Sequence, residues 1–121
     1  MLIPILIVRD MTEAIAFHTQ VLDFQLNFAW PEQSPIYAGL VRGKDELHLS
    51  LASSGRPFGH CSAMLLCDDV DAQFAAYRAR GLPLSTKPDS PVHDGPLDQT
   101  WGTREVYIDD PSGNTLILQQ R

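Results

Sequence analysis

The strongest constraint on the fold is an internal repeat, which is seen when the chain is displaced against itself by 59 positions. Leu6 then falls on Leu65, and Asp10 falls on Asp69. In both copies a short apolar run ends at the aspartate, and an amphipathic segment follows it. An aspartate in that place can cap a helix, and in the first copy Glu13 completes the spacing of a capping box. The repeat therefore predicts two similar modules, each beginning with a strand that leads into a helix.

Each predicted helix is followed by segments with the composition of strands, separated by short polar turns. The elements predicted for the first module are a strand over 2–8, a helix over 11–22 and strands over 24–30, 36–41 and 47–51. Those predicted for the second are a strand over 62–67, a helix over 70–80 and strands over 82–86, 103–109 and 115–120. The sequence therefore predicts an α+β fold of two tandem βαβββ modules. Module one spans 1–53, a linker of Ser, Gly and Pro spans 54–60, and module two spans 61–121.

Residues 87–100 fit neither a helical nor a strand pattern. The stretch is polar, shows little periodicity and contains Pro88, Pro91, Gly95 and Pro96. Loops of this length in compact domains are often functional, which favours a lid over a ligand site. A mobile surface loop explains the same composition, so both interpretations stay open at the level of sequence.

Length and charge limit the class of protein. The chain has 121 residues, of which 44% are hydrophobic, which suits one domain over 1–121 with a core of its own. No apolar run of about 18 residues is present, and no basic region precedes the apolar residues 2–8. We therefore expect a cytoplasmic protein with no membrane partner. The formal net charge of −6 disfavours nucleic acid as a partner and is compatible with a cationic ligand.

The last predicted hairpin carries a family signal. Residues 101–114 read Trp-Gly-Thr-Arg-Glu-Val-Tyr-Ile-Asp-Asp-Pro-Ser-Gly-Asn. With the two tandem modules, this hairpin resembles the vicinal oxygen chelate superfamily, which includes glyoxalase I, extradiol dioxygenases and the bleomycin resistance proteins. The resemblance covers essentially the whole chain and is strongest to the bleomycin resistance proteins. Their features recur as Pro4 in strand one, Val8-Arg9-Asp10 before helix one and Tyr37-Ala38-Gly39-Leu40-Val41-Arg42. It implies a curved mixed sheet that forms a cup.

The resemblance also says where a metal would be bound. In the metal-using relatives each module supplies two His, Glu or Gln ligands, and the matching positions here are Ile3, His48, Ser62 and Ile117. Only His48 is a credible ligand, whereas a catalytic metal normally needs at least three protein ligands. We therefore predict no metal and no other cofactor, with His48 acting as a hydrogen-bonding group in the cup or as a ring against a ligand. A divergent site using His48 and His60 is the alternative.

Without a metal, the cup is a concave pocket that aromatic side chains could line. The residues that the resemblance places at the ligand are aromatic (Trp30, Tyr37, Phe58 and Trp101), acidic (Glu32, Asp98 and Glu105) or at former metal positions (His48 and Ser62). Core packing is the alternative for each aromatic residue, and we expect it for Phe24, Phe28 and Tyr107.

The resemblance implies a symmetric homodimer that exchanges its N-terminal strand, with Pro4 at the hinge. A proline lacks the N–H of a central ladder, so it suits a crossing point. The expected function is non-catalytic sequestration of a bleomycin-type cationic glycopeptide in an aromatic groove at the dimer interface. One alternative is a metal-free member of the superfamily that binds another small molecule. The other alternative is a metal-dependent lyase or dioxygenase, which the four residues at the metal positions disfavour.

Overall fold

The computed structural model describes residues 1–121 and contains two four-stranded mixed sheets. The strands are β1 (Ile5–Val8), β2 (Gln25–Trp30), β3 (Tyr37–Arg42), β4 (Asp45–Leu51), β5 (Ser62–Leu66), β6 (Leu97–Asp98), β7 (Arg104–Asp109) and β8 (Thr115–Gln120). The first sheet has the order β1-β4-β3-β2 and the second the order β5-β8-β7-β6. β1 is parallel to its neighbour β4, and β5 is parallel to its neighbour β8, whereas the other neighbouring pairs are antiparallel. The predicted α+β fold of two βαβββ modules is confirmed.

Both helices begin at the aspartates that the repeat picks out. Asp10 Oδ1 accepts from the amide of Glu13 at 2.9 Å, and α1 (Met11–Ala16) follows. Asp69 Oδ1 accepts from the amide of Ala72 at 3.0 Å, and α2 (Val70–Ala79) follows. The second half of the predicted capping box is absent, because the Glu13 carboxylate pairs with Arg9 at 2.7 Å instead.

The first helix is shorter than predicted because its register changes. After Ala16 the chain continues as one turn of π-helix, Phe17–Val21. Two side chains of this turn bond to carbonyl groups of the preceding turn: His18 Nδ1 to Ala14 O at 2.8 Å and Thr19 Oγ1 to Ile15 O at 2.7 Å. The π-turn places His18 fully inside the protein, edge-on to the rings of its neighbours.

One face of each sheet packs against its helix. The apolar core contains 19 buried residues and draws on both modules, including Leu6, Leu40 and Leu49 from the first sheet and Val106 and Leu118 from the second. The side chains at alternate positions of the same strands point to the opposite face of each sheet. This second face of each sheet is called its concave face below.

A buried asparagine ties the two modules together. Asn114 Nδ2 donates to the carbonyl of Ile7 at 2.8 Å, and Asn114 Oδ1 accepts from the amide of Cys61 at 3.2 Å. On the other side of the molecule, the hydroxyl of Tyr77 in α2 donates to Asp23 at 2.6 Å. Burial raises the pKa of Tyr77, and the hydrogen bond to Asp23 raises it further. The tyrosine is therefore a donor at every working pH.

One predicted strand is wrong. Residues 82–86 join no ladder, and the outer strand of the second sheet is instead the two-residue β6, which lies in the stretch 87–100. Pro83 has no N–H to give to a ladder, which weakens 82–86 as a strand. The stretch 87–100 also contains a 3₁₀ turn, Pro91–His93, and is tied to β7 by an ion pair between Lys87 and Asp109 at 2.7 Å. No helix is long and apolar enough to cross a membrane.

Candidate functional site

The concave faces of both sheets carry exposed apolar side chains. On the first sheet Ile5, Phe28 and Trp30 are 41% to 64% exposed. On the second sheet Met64, Leu66 and Leu97 are 39% to 54% exposed. Apolar surface that is contiguous and uncovered marks a place where a protein meets a ligand or another protein. The two concave faces are therefore the candidate functional site.

A histidine lies at the centre of the first concave face. The hydroxyl of Tyr37 is 2.8 Å from His48 Nδ1, and the carboxylate of Glu46 is 3.3 Å from His48 Nε2. Both contacts are satisfied when Tyr37 donates to Nδ1 and the Nε2–H donates to Glu46. The ring of Phe28 meets His48 edge-on, with centroids 5.5 Å apart, and is nearly parallel to the ring of Tyr37. The structure thus brings together two of the predicted site residues, Tyr37 and His48.

The position of Phe28 contradicts the expectation that it belongs to the core. It is 41% exposed, whereas Phe24, for which core packing was also expected, is buried. A bulge between Leu26 and Phe28 shifts the register of β2 and turns Phe28 onto the concave face. Its ring then lies on Gly39, where an added Cβ would be 2.1 Å from the ring. Only a glycine leaves room for this arrangement.

A buried carboxylate organises the second concave face. Glu105 Oε2 accepts from the Gln119 amide at 2.7 Å, from the Thr103 hydroxyl at 2.6 Å and from the Trp101 indole N–H at 3.2 Å. Burial raises the pKa of Glu105, but these three hydrogen bonds outweigh it and hold the pKa below its ordinary value. Glu105 therefore stays ionised and holds Trp101, whose side chain is 64% exposed.

All three of these hydrogen bonds go to one oxygen of Glu105, Oε2, which suits a residue that positions Trp101. The other predicted residues are spread along the exposed edges. Trp30 lies at the end of β2 with Glu32 exposed just after it, and Phe58 is exposed in the segment between the sheets. Asp98, also exposed, pairs with Arg104 at 3.1 Å. The structure does not bring these four residues together within one chain.

The four positions that the resemblance matches to metal ligands, Ile3, His48, Ser62 and Ile117, lie on or beside strands of the two sheets. His48 pairs with Ile5, which is two residues after Ile3, and Ile117 pairs with Met64, which is two residues after Ser62. Each module therefore places its two positions in the same relation. Ser62 is exposed at the start of β5. No group of three or more His, Cys, Asp or Glu side chains is arranged to hold a metal ion. His60 is exposed and has a positive φ of 63°, with its amide bonded to the carbonyl of Gly113 at 3.1 Å.

The sequence did not predict four residues that contact His48 or Glu105. They are Phe28 and Glu46 around His48, and Thr103 and Gln119 around Glu105. Glu46 lies two residues from His48 on the same side of β4, so strict alternation could have suggested it. Thr103 lies in the loop just before β7, where alternation does not apply. Gln119 depends on the register of β7 with β8, and Phe28 on the bulge, which are not visible in sequence.

Comparison with known proteins agrees with this architecture. The chain belongs to the Glyoxalase/Bleomycin resistance protein/Dioxygenase superfamily, whose family model matches residues 3–118. No curated protein matches the sequence.

The solved structures similar to it include binding proteins and an enzyme. A bleomycin-binding protein complexed with bleomycin has a TM-score of 0.79 at 23% identity, covering 100% of this chain and 98% of that one. The bleomycin-binding protein of Streptomyces verticillus, complexed with copper(II)-bleomycin, has a TM-score of 0.72 at 23% identity, with 97% and 92% covered. A lactoylglutathione lyase from Agrobacterium tumefaciens has a TM-score of 0.73 at 20% identity, with 99% and 92% covered. At these identities the likeness establishes the fold.

Proposed function

We propose that the protein is a non-catalytic binding protein that sequesters a bleomycin-type glycopeptide in an aromatic groove between two copies of the chain. The observation that carries the proposal is the pair of uncovered concave faces, with Trp30 and Trp101 each 64% exposed. An exposed tryptophan is a ready surface for stacking against planar heteroaromatic groups such as the bithiazole of the drug. Two of the similar structures are proteins bound to bleomycin.

The proposed groove needs a second copy of the chain. Each concave face exposes apolar side chains that no part of the same chain covers, and the face of module one in one copy can meet the face of module two in the other. A two-fold symmetric dimer repeats this contact twice and gives two equivalent grooves.

The N-terminal residues support an exchange between the copies. Met1 and Leu2 are 91% and 96% exposed, so their apolar side chains have no partner within the chain. Pro4 contributes only its carbonyl to the sheet, accepting from the amide of His48 at 3.0 Å. Because β1 pairs with β4 of its own chain, only residues 1–3 extend onto the partner in the proposed dimer, where their apolar side chains are covered.

Recognition of the drug is proposed to combine stacking with charge. Trp30, Tyr37, Phe58 and Trp101 supply the aromatic surface, and Glu105 holds the last of these in place. The exposed carboxylates of Glu32 and Asp98 and the net charge of −6 favour the cationic part of the ligand. Binding alone protects a target, so this function needs no metal, no cofactor and no bond-breaking residue.

Calorimetric titration with copper(II)-bleomycin, together with tryptophan fluorescence, tests the proposal. Trp101→Ala removes the best-positioned ring, and Leu84→Ala is the matched control because Leu84 is 76% exposed and lies outside the concave faces. Loss of one large aromatic contact is worth about 1.5–3 kcal/mol, so Trp101→Ala should weaken binding by roughly 10- to 150-fold.

Submicromolar binding that falls in Trp101→Ala and not in Leu84→Ala supports the groove. Binding of the drug that is equal in both variants contradicts the place assigned to it. No binding at millimolar drug removes the drug as the ligand and leaves the alternatives of another small molecule or an enzymatic role. Sedimentation of the protein as a monomer at every concentration contradicts the interface.

A further inference from the structure

The outer edge of β7 borders a cavity that reaches from the concave face of the second sheet, where Tyr107 and Asp109 line it, to the core side, where Ile108 lines it. The β6–β7 ladder contains only the pairs Leu97 with Glu105 and Asp98 with Arg104, so from Val106 onward β7 pairs with β8 on one side and has no strand on its outer side. Residues 82–86 line the same cavity without pairing to this edge. Between them and α2 lies this cavity, which has a volume of about 640 Å³. This volume is within the usual range of small-molecule sites, about 300–1,000 Å³.

One part of the wall of this cavity is apolar and aromatic. Phe17 from the π-turn, Phe74 from α2, Leu82, Tyr107 and Ile108 line it. Phe17, Leu82 and Ile108 belong to the apolar core, and Phe74 packs against it. A compact apolar or aromatic body would be desolvated here at a gain of about 25 cal/mol per Å² of apolar surface.

The wall contributed by the stretch 87–100 is held by a chain of hydrogen bonds. Ser90 Oγ is 2.7 Å from His93 Nδ1, and His93 Nε2 is 3.2 Å from Asp109 Oδ2. The imidazole of His93 meets the ring of Tyr107 edge-on, with centroids 5.5 Å apart. Because both nitrogens of the ring are occupied, His93 acts as a fixed part of the wall.

The charged side chains around the cavity differ in how many of their hydrogen-bonding groups already have a protein partner, and this difference indicates which charge a ligand would carry. Asp109 already interacts with Lys87, Thr115 and His93, and Asp110 accepts from the amide groups of its own turn. Arg78 is different: its guanidinium donates to the carbonyl of Leu82, and its other N–H groups have no protein acceptor. A guanidinium has five donors in a planar fork that matches a carboxylate.

We propose that this cavity is a second ligand site, which binds a monocarboxylate with a compact apolar or aromatic body and holds its carboxylate on Arg78. The exposed carboxylate of Asp94, which also lines the cavity, disfavours ligands with several negative charges. The proposal does not rest on the proposed drug groove, because none of the residues predicted to contact the drug lines this cavity.

Titration of the full chain with 4-phenylbutyrate, followed by calorimetry and by amide chemical shifts, tests the site. The comparison ligands are 4-phenylbutanol, which lacks the charge, and 4-phenylbutylamine, which reverses it. Arg78→Gln removes the guanidinium, and Arg56→Gln is the matched control because Arg56 is exposed and does not line the cavity.

We expect one carboxylate per chain, with shifts at the amides of Phe74, Thr86 and Tyr107. A charge-assisted hydrogen bond is worth enough that Arg78→Gln and the alcohol should each bind at least about tenfold more weakly. Arg56→Gln should bind as the unmodified protein does. Equal binding of the alcohol, tighter binding of the amine, shifts confined to the residues around His48 and Glu105, or no binding at millimolar ligand would each overturn the proposal. The ligand comparison uses unmodified protein, so it decides the matter even if Arg78→Gln does not fold.

Discussion

Removal of the Asn114 side chain tests how the two modules are joined. Asn114 is fully buried, and its side chain makes three hydrogen bonds: to the Ile7 carbonyl at 2.8 Å, to Asp110 at 3.1 Å and from the Cys61 amide at 3.2 Å. In Asn114→Ala the Ile7 carbonyl keeps a second donor, the amide of Gly59 at 3.2 Å, whereas the Cys61 amide loses its acceptor. Three net hydrogen bonds at about 1 kcal/mol each, plus about 1–3 kcal/mol for the desolvation of the orphaned amide, give a loss of roughly 4–6 kcal/mol.

Urea unfolding followed by circular dichroism measures this loss. The matched control is Asn27→Ala, because Asn27 is exposed at the bulge of β2, and its substitution should change the free energy of unfolding by less than about 0.5 kcal/mol. We expect Asn114→Ala to lower the midpoint at an unchanged slope, since the same surface is exposed on unfolding. A loss below about 1 kcal/mol, or equal effects in the two variants, would show that Asn114 does not join the modules.

Three further substitutions test the concave faces and the buried histidine. Gly39→Ala places a Cβ 2.1 Å from the Phe28 ring and should lower the free energy of unfolding, measured by thermal unfolding, by about 1–3 kcal/mol. Most of this loss should be regained in the double variant that also carries Phe28→Ala. A double variant that regains nothing would mean that the ring is not the obstacle. Burial lowers the pKa of His18 more than its backbone hydrogen bond and a nearby carboxylate raise it, so the unfolded chain binds the proton more readily. The contribution of neutral His18 to the free energy of unfolding should therefore be fully present above about pH 6.5. Below that value it should fall by up to about 1.4 kcal/mol per pH unit, and His18→Phe should remove this slope. A slope that persists in this variant excludes His18 as its source. Glu105→Gln should lower the free energy of unfolding at pH 7 by about 1–3 kcal/mol. The variant should also lack the loss of stability that the unmodified protein shows as the pH falls below the ordinary carboxyl pKa near 4.5, because the pKa of Glu105 in the folded protein lies lower still. Acid unfolding curves that coincide for the two proteins would contradict the ionised state assigned to Glu105.

The sequence predicted the parts of the fold that depend on local chemistry. Asp10 and Asp69 cap helices because a short polar side chain at that place reaches the amides of the first turn, wherever the helix goes afterwards. The π-turn that shortens α1 depends on packing around His18, and the free edge of β7 depends on pairing across the sheet. Neither can be read from local sequence; the one local signal against a strand over 82–86 was Pro83, which has no N–H for a ladder.

The candidate site was predictable only in part. Alternation in β2 puts Phe24, Leu26, Phe28 and Trp30 on one side of an ideal strand, but the bulge separates them, so that Phe24 is buried and Phe28 is exposed. Tyr37 and His48 meet because β3 and β4 are neighbours, which the hairpin order did indicate. The environment of Glu105 combines residues from a loop and two strands, so its burial follows only from the assembled sheet.

The most direct test of the proposed function is to recover the drug after it has been bound. Copper(II)-bleomycin is dialysed to equilibrium against the protein, and the protein is then denatured. The released drug is quantified, and its molecular mass is determined by mass spectrometry. Sequestration without chemistry predicts about one drug bound per chain at submicromolar free drug, released with an unchanged mass. No retention at millimolar drug, or release of a drug of altered mass, would contradict it.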